Sequence, residues 1–344
     1  MRSRLSLAAV LAHRLMAISL FWIMAAGVAT PPAHAATRDA PGAGQHEDGV
    51  YRIGFHLWKP GKIYEEAMAG IMDGLQLEGI RFEPVILESG RDESMARENL
   101  RKLDGMGLDL IYSLSSAGTK IAKALNLKTP VIATVINHPA SLGVGDDNGG
   151  AGTRLTGTSY YVDARKQLRL YRMLFPKAKK IGMIFDTRNP AGYLAEEPFM
   201  REACEAMGLE FVSVGVTAKS ELGAAAKRLV EAKVDLVVIP TNRLVYANLE
   251  LVLDVMNPRK VPIVSMNKQG VENGALAALY ADTYDLGRQT TGMAARILRE
   301  RADPVRIGFE YIPEPDVILN MGSADTLSYE FPANVLSSAT IVLQ

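Results

Sequence analysis

From residue 51 onward, short continuous apolar runs alternate with amphipathic segments. The first half predicts strands over 51–57, 82–87, 108–114 and 131–135, and helices over 64–78, 93–107 and 116–125. In the first helix Ala67, Ile71 and Leu75 share one face; in the second Ala96, Leu100 and Leu103 do, and Gly107 closes it. Ser115 and Ser116 supply a cap for the third. Residues 138–153 are rich in Gly and Asp and predict a long exposed loop. The second half predicts strands over 180–185, 209–216, 236–239, 263–266, 276–280 and 316–319. Its helices fall over 167–175, 196–207, 222–232, 244–255 and 284–299.

Strands that alternate with helices build parallel sheets from βαβ units. These strands are apolar throughout rather than at every second residue, as expected when helices cover both faces. The rhythm occurs twice, so the fold class is α/β with two Rossmann-like lobes. In open parallel sheets ligands bind beyond the carboxyl ends of the strands, where loops and helix N-termini converge. The residues at those positions are therefore the candidate ligand-binding set. In the first half they are His56, Trp58, Ser115, Ser116, Thr119 and Asn137. In the second half they are Asp186, Asn189, Thr241, Asn242, Asn267, Asp282 and Tyr284. The hydroxyls at 115–119 open a helix after an apolar strand, which suits a carboxylate. Trp58 and Tyr284 offer flat faces for an aromatic or cationic ligand, and Asp186 or Asp282 offers a partner for an amine. Each residue also has a plainer reading. The serines and Thr119 serve as helix caps, the asparagines as turn residues, His56 as a structural hydrogen-bonding group, Trp58 as an edge cover and Tyr284 as helix-start packing.

No catalytic pattern is present: no Gly-x-Ser-x-Gly elbow, no phosphate loop ending in Gly-Lys-Ser/Thr, no His-Glu-x-x-His. The acidic stretch at 146–148 lacks the rest of a calcium loop. No metal, cofactor or enzymatic activity is expected. The single cysteine, Cys204, lies in a helical pattern far from any histidine and reads as a buried thiol.

The 344 residues are 48% hydrophobic and 22% charged, with 38 basic and 38 acidic side chains. That is ordinary globular composition for about two domains and gives no basic excess for nucleic acid. The balance hides an asymmetry. Residues 1–35 hold Arg2, Arg4 and Arg14 and no acid, then an apolar run over 15–29, then Ala33-His34-Ala35. This is the layout of a cleaved signal peptide, too short in its apolar run to span a bilayer. It implies a mature chain that starts near Ala36 outside the cytoplasm, with no lipid-attachment cysteine after the signal. Residues 36–49 read as a disordered leader.

Three segments carry a family resemblance: Leu174 to Phe185 (LFPKAKKIGMIF), Val234 to Asn242 (VDLVVIPTN) and Gly274 to Leu298 (GALAALYADTYDLGRQTTGMAARIL). Through them the chain resembles the periplasmic substrate-binding proteins of ABC transporters with the hinged type I fold, in the branch linked to tryptophan and tyrosine uptake. The resemblance spans about residues 50–320. His56-Leu-Trp-Lys59 departs from the small polar residues the family has after its first strand. The resemblance implies lobe crossings near 156–160, 282–284 and 306–314. The N-terminal lobe would then comprise 50–157 and 284–306, and the C-terminal lobe 158–283 and 307–344. It implies a small-molecule ligand, most simply an aromatic amino acid or a relative, and delivery by a monomer to an ABC permease. The alternative is a ligand-sensing receptor of the same fold.

Overall fold

The computed structural model describes residues 49–144 and 154–344. The signal segment over 1–35, nearly all of the leader over 36–49 and the acidic stretch at 146–148 lie outside the described residues.

The chain begins with β1 (Tyr51–Leu57), whose last five residues are buried because helices cover both of its faces. It continues through α1 (Lys62–Leu77), β2 (Phe82–Glu88), α2 (Glu93–Gly105), β3 (Leu110–Leu114), α3 (Ser116–Leu125), β4 (Val131–Ile136) and β5 (Leu155–Ser159). A second series follows with α4 (Ala164–Leu174), β6 (Lys180–Asp186), α5 (Glu197–Ala206), β7 (Glu210–Val216), α6 (Leu222–Glu231) and β8 (Leu236–Ile239). It runs on through α7 (Arg243–Tyr246), α8 (Glu250–Met256), β9 (Ile263–Ser265), α9 (Lys268–Glu272) and β10 (Ala277–Tyr280). Then come α10 (Thr283–Glu300), β11 (Phe309–Tyr311), β12 (Asp316–Asn320), α11 (Met321–Leu327), α12 (Ala333–Ser338) and β13 (Ile341–Leu343).

The strands form two sheets. The first, in the order β2-β1-β3-β4-β5-β11, is parallel throughout. The second, in the order β7-β6-β8-β9-β10-β12-β13, is parallel except between β10 and β12. Each sheet is packed on both faces. In the first, Ile53, Phe55, Tyr112 and Ile132 face α1 and α10, while Ile111, Ala133 and Leu155 face α2 and α3. The chain passes between the sheets after Ser159, after Tyr280 and after Tyr311. The last passage, after Tyr311, falls within the 306–314 crossing read from the sequence but later than residue 306, because β11 pairs with β5 through Phe309–Gly157 and Tyr311–Ser159. A three-residue edge strand carries too little pattern to be read in advance.

Helix α10 returns from the second sheet and lies along α1 at very close range. A Cβ on Gly70 would meet the Tyr284 carbonyl oxygen at 2.0 Å, and one on Gly287 the Ala67 carbonyl oxygen at 2.1 Å. Only glycine permits that backbone approach.

Two local expectations change. Residues 244–255 are two helices rather than one, because the Asn248 amide donates to the Leu244 carbonyl at 2.8 Å and supports a turn there. The predicted exposed loop begins as a buried turn: His138, Leu142 and Val144 are all buried, the latter two against α2 and α3.

Candidate functional site

The strand order reverses between β1 and β3 in one sheet and between β6 and β8 in the other, and the carboxyl ends of strands at such switch points are where open parallel sheets bind ligands. The backbone there is strained. Ser115, directly after β3, sits at φ 150, and Val135 in β4 at φ 57, a value a β-branched side chain rarely tolerates. Val135 marks a register shift between β4 and β5, and such bulges re-aim the residues that follow. The residue so re-aimed is Asn137.

Asn137 is buried and joins the two lobes. Its amide donates to Glu196 Oε1 at 3.0 Å and also lies against the Thr241 hydroxyl. Thr241, just beyond β8, donates its backbone N–H to the same Glu196 oxygen at 2.9 Å, and its hydroxyl bonds there too. Glu196 ends a π-helical turn, Gly192–Glu196, that leads into α5, and it is wholly inaccessible. Burial pushes its carboxyl above the usual carboxylate range, opposed only by the neutral Thr241 and Asn137 donors. Its second oxygen, Oε2, and Asn137 Oδ1 are buried with no hydrogen-bond partner.

Three tyrosines gather nearby. Tyr160, in the first crossing, has its phenol pushed up mainly by burial and then by Glu196 and Tyr64, with Asn137 opposing the shift. Tyr64, on the first turn of α1, is pushed up to about 12, mainly by burial and then by Tyr246 of the other lobe. Positive charge lies beside them. The Lys59 ammonium stands 5.8 Å from the centre of the Tyr64 ring. Its pKa is lowered by partial burial and then by repulsion from Arg91 and Arg243, which belong to opposite lobes.

Of the residues expected from sequence, Asn137 and Thr241 meet directly, and Ser116 joins them by accepting from the Asn137 N–H at 3.3 Å. The others are engaged within their own lobes. Ser115 caps α3 by accepting from Gly118 N at 2.9 Å. Thr119 is buried and bonded to Ser113 at 2.9 Å. His56 is buried beneath Gly118, bonded to Ser89 at 2.8 Å, and lowered to about 4 by burial. Asp186 pairs with Arg188, and Asn189 starts a turn by accepting from Ala191 N. Asn242, Asn267 and Asp282 are the N-caps of α7, α9 and α10. Trp58 packs on the α2 and α3 side of the first sheet, whereas the Tyr284 hydroxyl bonds to Asp73 of α1 on the opposite side, at 3.2 Å. Sequence reasoning missed Glu196, Tyr64, Tyr160 and Tyr246. Glu196 and Tyr64 sit inside helical patterns where an acid or an aromatic is unremarked.

Beside the first and last crossings, a cavity of about 430 Å³ is bounded by His138, Tyr161, Phe199 and Tyr311, whose rings pack mostly edge to face. Among the described residues no cluster of acids, histidines and cysteines is placed to hold a metal. No described helix is long and apolar enough to cross a membrane.

Two mostly parallel sheets crossed three times by the chain, with polar groups of both converging at the strand ends, define a type I periplasmic-binding fold. The chain belongs to the ABC transporter substrate binding protein family, whose model matches residues 61–343. That family consists of binding proteins rather than enzymes. A tyrosine-binding protein of Clostridioides difficile (strain R20291) is 29% identical over 222 residues, which is 64% of this chain and 64% of that protein's length. Among solved structures, a ligand-free, open substrate-binding protein with adhesive properties from Clostridium difficile aligns at TM-score 0.75 and 24% identity. The alignment covers 86% of this chain and 99% of that one. The ABC domain from Streptococcus pneumonia in complex with L-Trp aligns at TM-score 0.70 and 23% identity, covering 85% and 99%.

Proposed function

We propose that the protein captures a small amino-acid-like ligand, most simply an aromatic amino acid, between its lobes. It then delivers that ligand from the periplasm to an ABC permease, acting as a monomer. The observation that carries this reading is the meeting of Asn137 from one lobe with Glu196 and Thr241 from the other. A ligand held where both lobes contribute donors and acceptors favours their closed arrangement, the differential binding that drives hinge closure. Tyr64, Tyr160 and Tyr246 supply flat apolar surface for a side chain. Lys59, Arg91 and Arg243 supply positive charge for a carboxylate, a role the sequence assigned to the 115–119 hydroxyls. The tyrosine-binding relative and the L-Trp complex point to the same ligand class. Export rests on the layout of residues 1–35.

The test is a titration of the mature protein with individual amino acids, sugars and inorganic anions. Binding is followed by the emission of Trp58, the one tryptophan outside residues 1–35. Saturable binding of tyrosine, tryptophan or phenylalanine is expected, weakened when the carboxyl is esterified. Binding of a sugar or an inorganic anion, with no response to any amino acid, would overturn the ligand class.

A further inference from the structure

We infer that Glu196 and Asn137 form the receptor for a cationic amine on the ligand, a role the sequence assigned to Asp186 or Asp282. The inference rests on the amino-acid reading above and gives its positive pole an address. Asp186 already faces Arg188, and both Asp282 contacts go to the first amides of α10. Glu196 differs from both. It is wholly buried, accepts only neutral donors at Oε1, and has Oε2 unpartnered. No lysine or arginine is among the groups that set its ionisation. A buried carboxylate without a cation is costly, and so is a buried acceptor without a donor. Asn137 Oδ1 is a second such acceptor, attached to the amide that already bonds Glu196.

A primary ammonium answers both needs at once: it brings one positive charge and three N–H donors to two orphan acceptor oxygens. The Tyr160 phenol is influenced by both Asn137 and Glu196, and by Tyr64 and Tyr246 as well. The cations Lys59, Arg91 and Arg243 form a separate group, so the site has opposite poles for the two charged ends of an amino acid. Because Glu196 and Asn137 come from different lobes, an ammonium shared between them links amine recognition to closure.

The experiment compares three probes: L-tyrosine, its deaminated analogue 3-(4-hydroxyphenyl)propionate, and tyramine. Each is titrated by calorimetry into the wild type, Glu196→Gln and Glu196→Asp. The wild type is expected to prefer tyrosine to the deaminated acid by about 100-fold or more. Glu196→Gln should bring that preference below about tenfold without weakening the deaminated acid, and Glu196→Asp should fall between. Should Glu196→Gln not fold, Glu196→Asp decides, and a preference equal to wild type overturns the inference. A wild type that binds tyrosine and the deaminated acid equally, or a Glu196→Gln variant that keeps the full preference, overturns the amine receptor while leaving the ligand class standing. Binding of tyramine alone supports the receptor and overturns the amino-acid reading. No binding of any probe overturns both.

Discussion

Replacing Gly287 with alanine should destabilise the protein, although the position is inside a helix where alanine is normally favoured. The new Cβ would lie 2.1 Å from the Ala67 carbonyl oxygen and 2.9 Å from the carbonyl carbon. Ordinary contact begins near roughly 3.5 Å, so α10 and α1 must part by more than about 1 Å. The obstacle is backbone, so no side chain can swing away. Overpacking of this kind costs about 1–3 kcal/mol, and the helix-propensity gain of alanine returns about 1 kcal/mol of it. The net expectation is a loss of up to roughly 2 kcal/mol. Gly292, in the same helix, is the control: a Cβ added there would have nothing within 4 Å. At that position the same substitution should stabilise by about 0.5–1 kcal/mol. Urea unfolding of the wild type and both variants, followed by far-ultraviolet circular dichroism and by Trp58 emission, reads the difference directly. If Gly287→Ala is as stable as Gly292→Ala, the helices are not held in backbone contact and the reasoning is wrong.

Three further outcomes are expected. His56 is lowered from 6.5 to about 4 by burial, so below pH 6.5 the unfolded chain takes up a proton that the folded chain refuses. Stability should therefore fall between pH 6.5 and 4 by up to about 3 kcal/mol, and an unchanged urea midpoint between pH 7 and 5 contradicts this. The Cys204 thiol, buried and pushed up to about 12, should resist thiol reagents in the native protein and react once urea unfolds it; rapid native labelling would show it to be accessible. Asp282 accepts from two amides at the start of α10, and Asp282→Ala should lower stability by about 1 kcal/mol, measured by thermal unfolding; no change would show the cap to be replaceable by water.

The architecture was legible because periodicity is a local property. The strands at 51–57 and 236–239 and the faces of α1 and α2 follow from residues at most a few positions apart. The site was legible only in part, because its contacts are distant in sequence. Glu196 meets Asn137 across 59 positions and Thr241 across 45. Before the fold is known, an acid in the run AGYLAEEPF reads as a solvated helix start. The opposite error arose at Asp282 and Asn267, which lie at strand ends as expected but whose side chains cap helices. Position at a strand end was correctly read, but which groups stay unpartnered there depends on hydrogen bonds that the sequence does not display.

The last passage of the chain into and out of the first sheet has a consequence for the order of assembly. During synthesis β1 to β5 emerge well before α10 and β11, yet α10 covers the glycine-lined face of α1 and β11 closes the sheet's edge. Until residue 311 has been made, the N-terminal half exposes an apolar helix face and an open strand edge. The middle of the chain, β6 to β10, is continuous in sequence and lacks the late strands β12 and β13 and the core residues Ala324, Phe331 and Val335 of the C-terminal segment. The half that is synthesised first can therefore complete its fold only after the middle of the chain has been made. A nascent chain held short of α10 carries an adhesive surface that its finished form has covered.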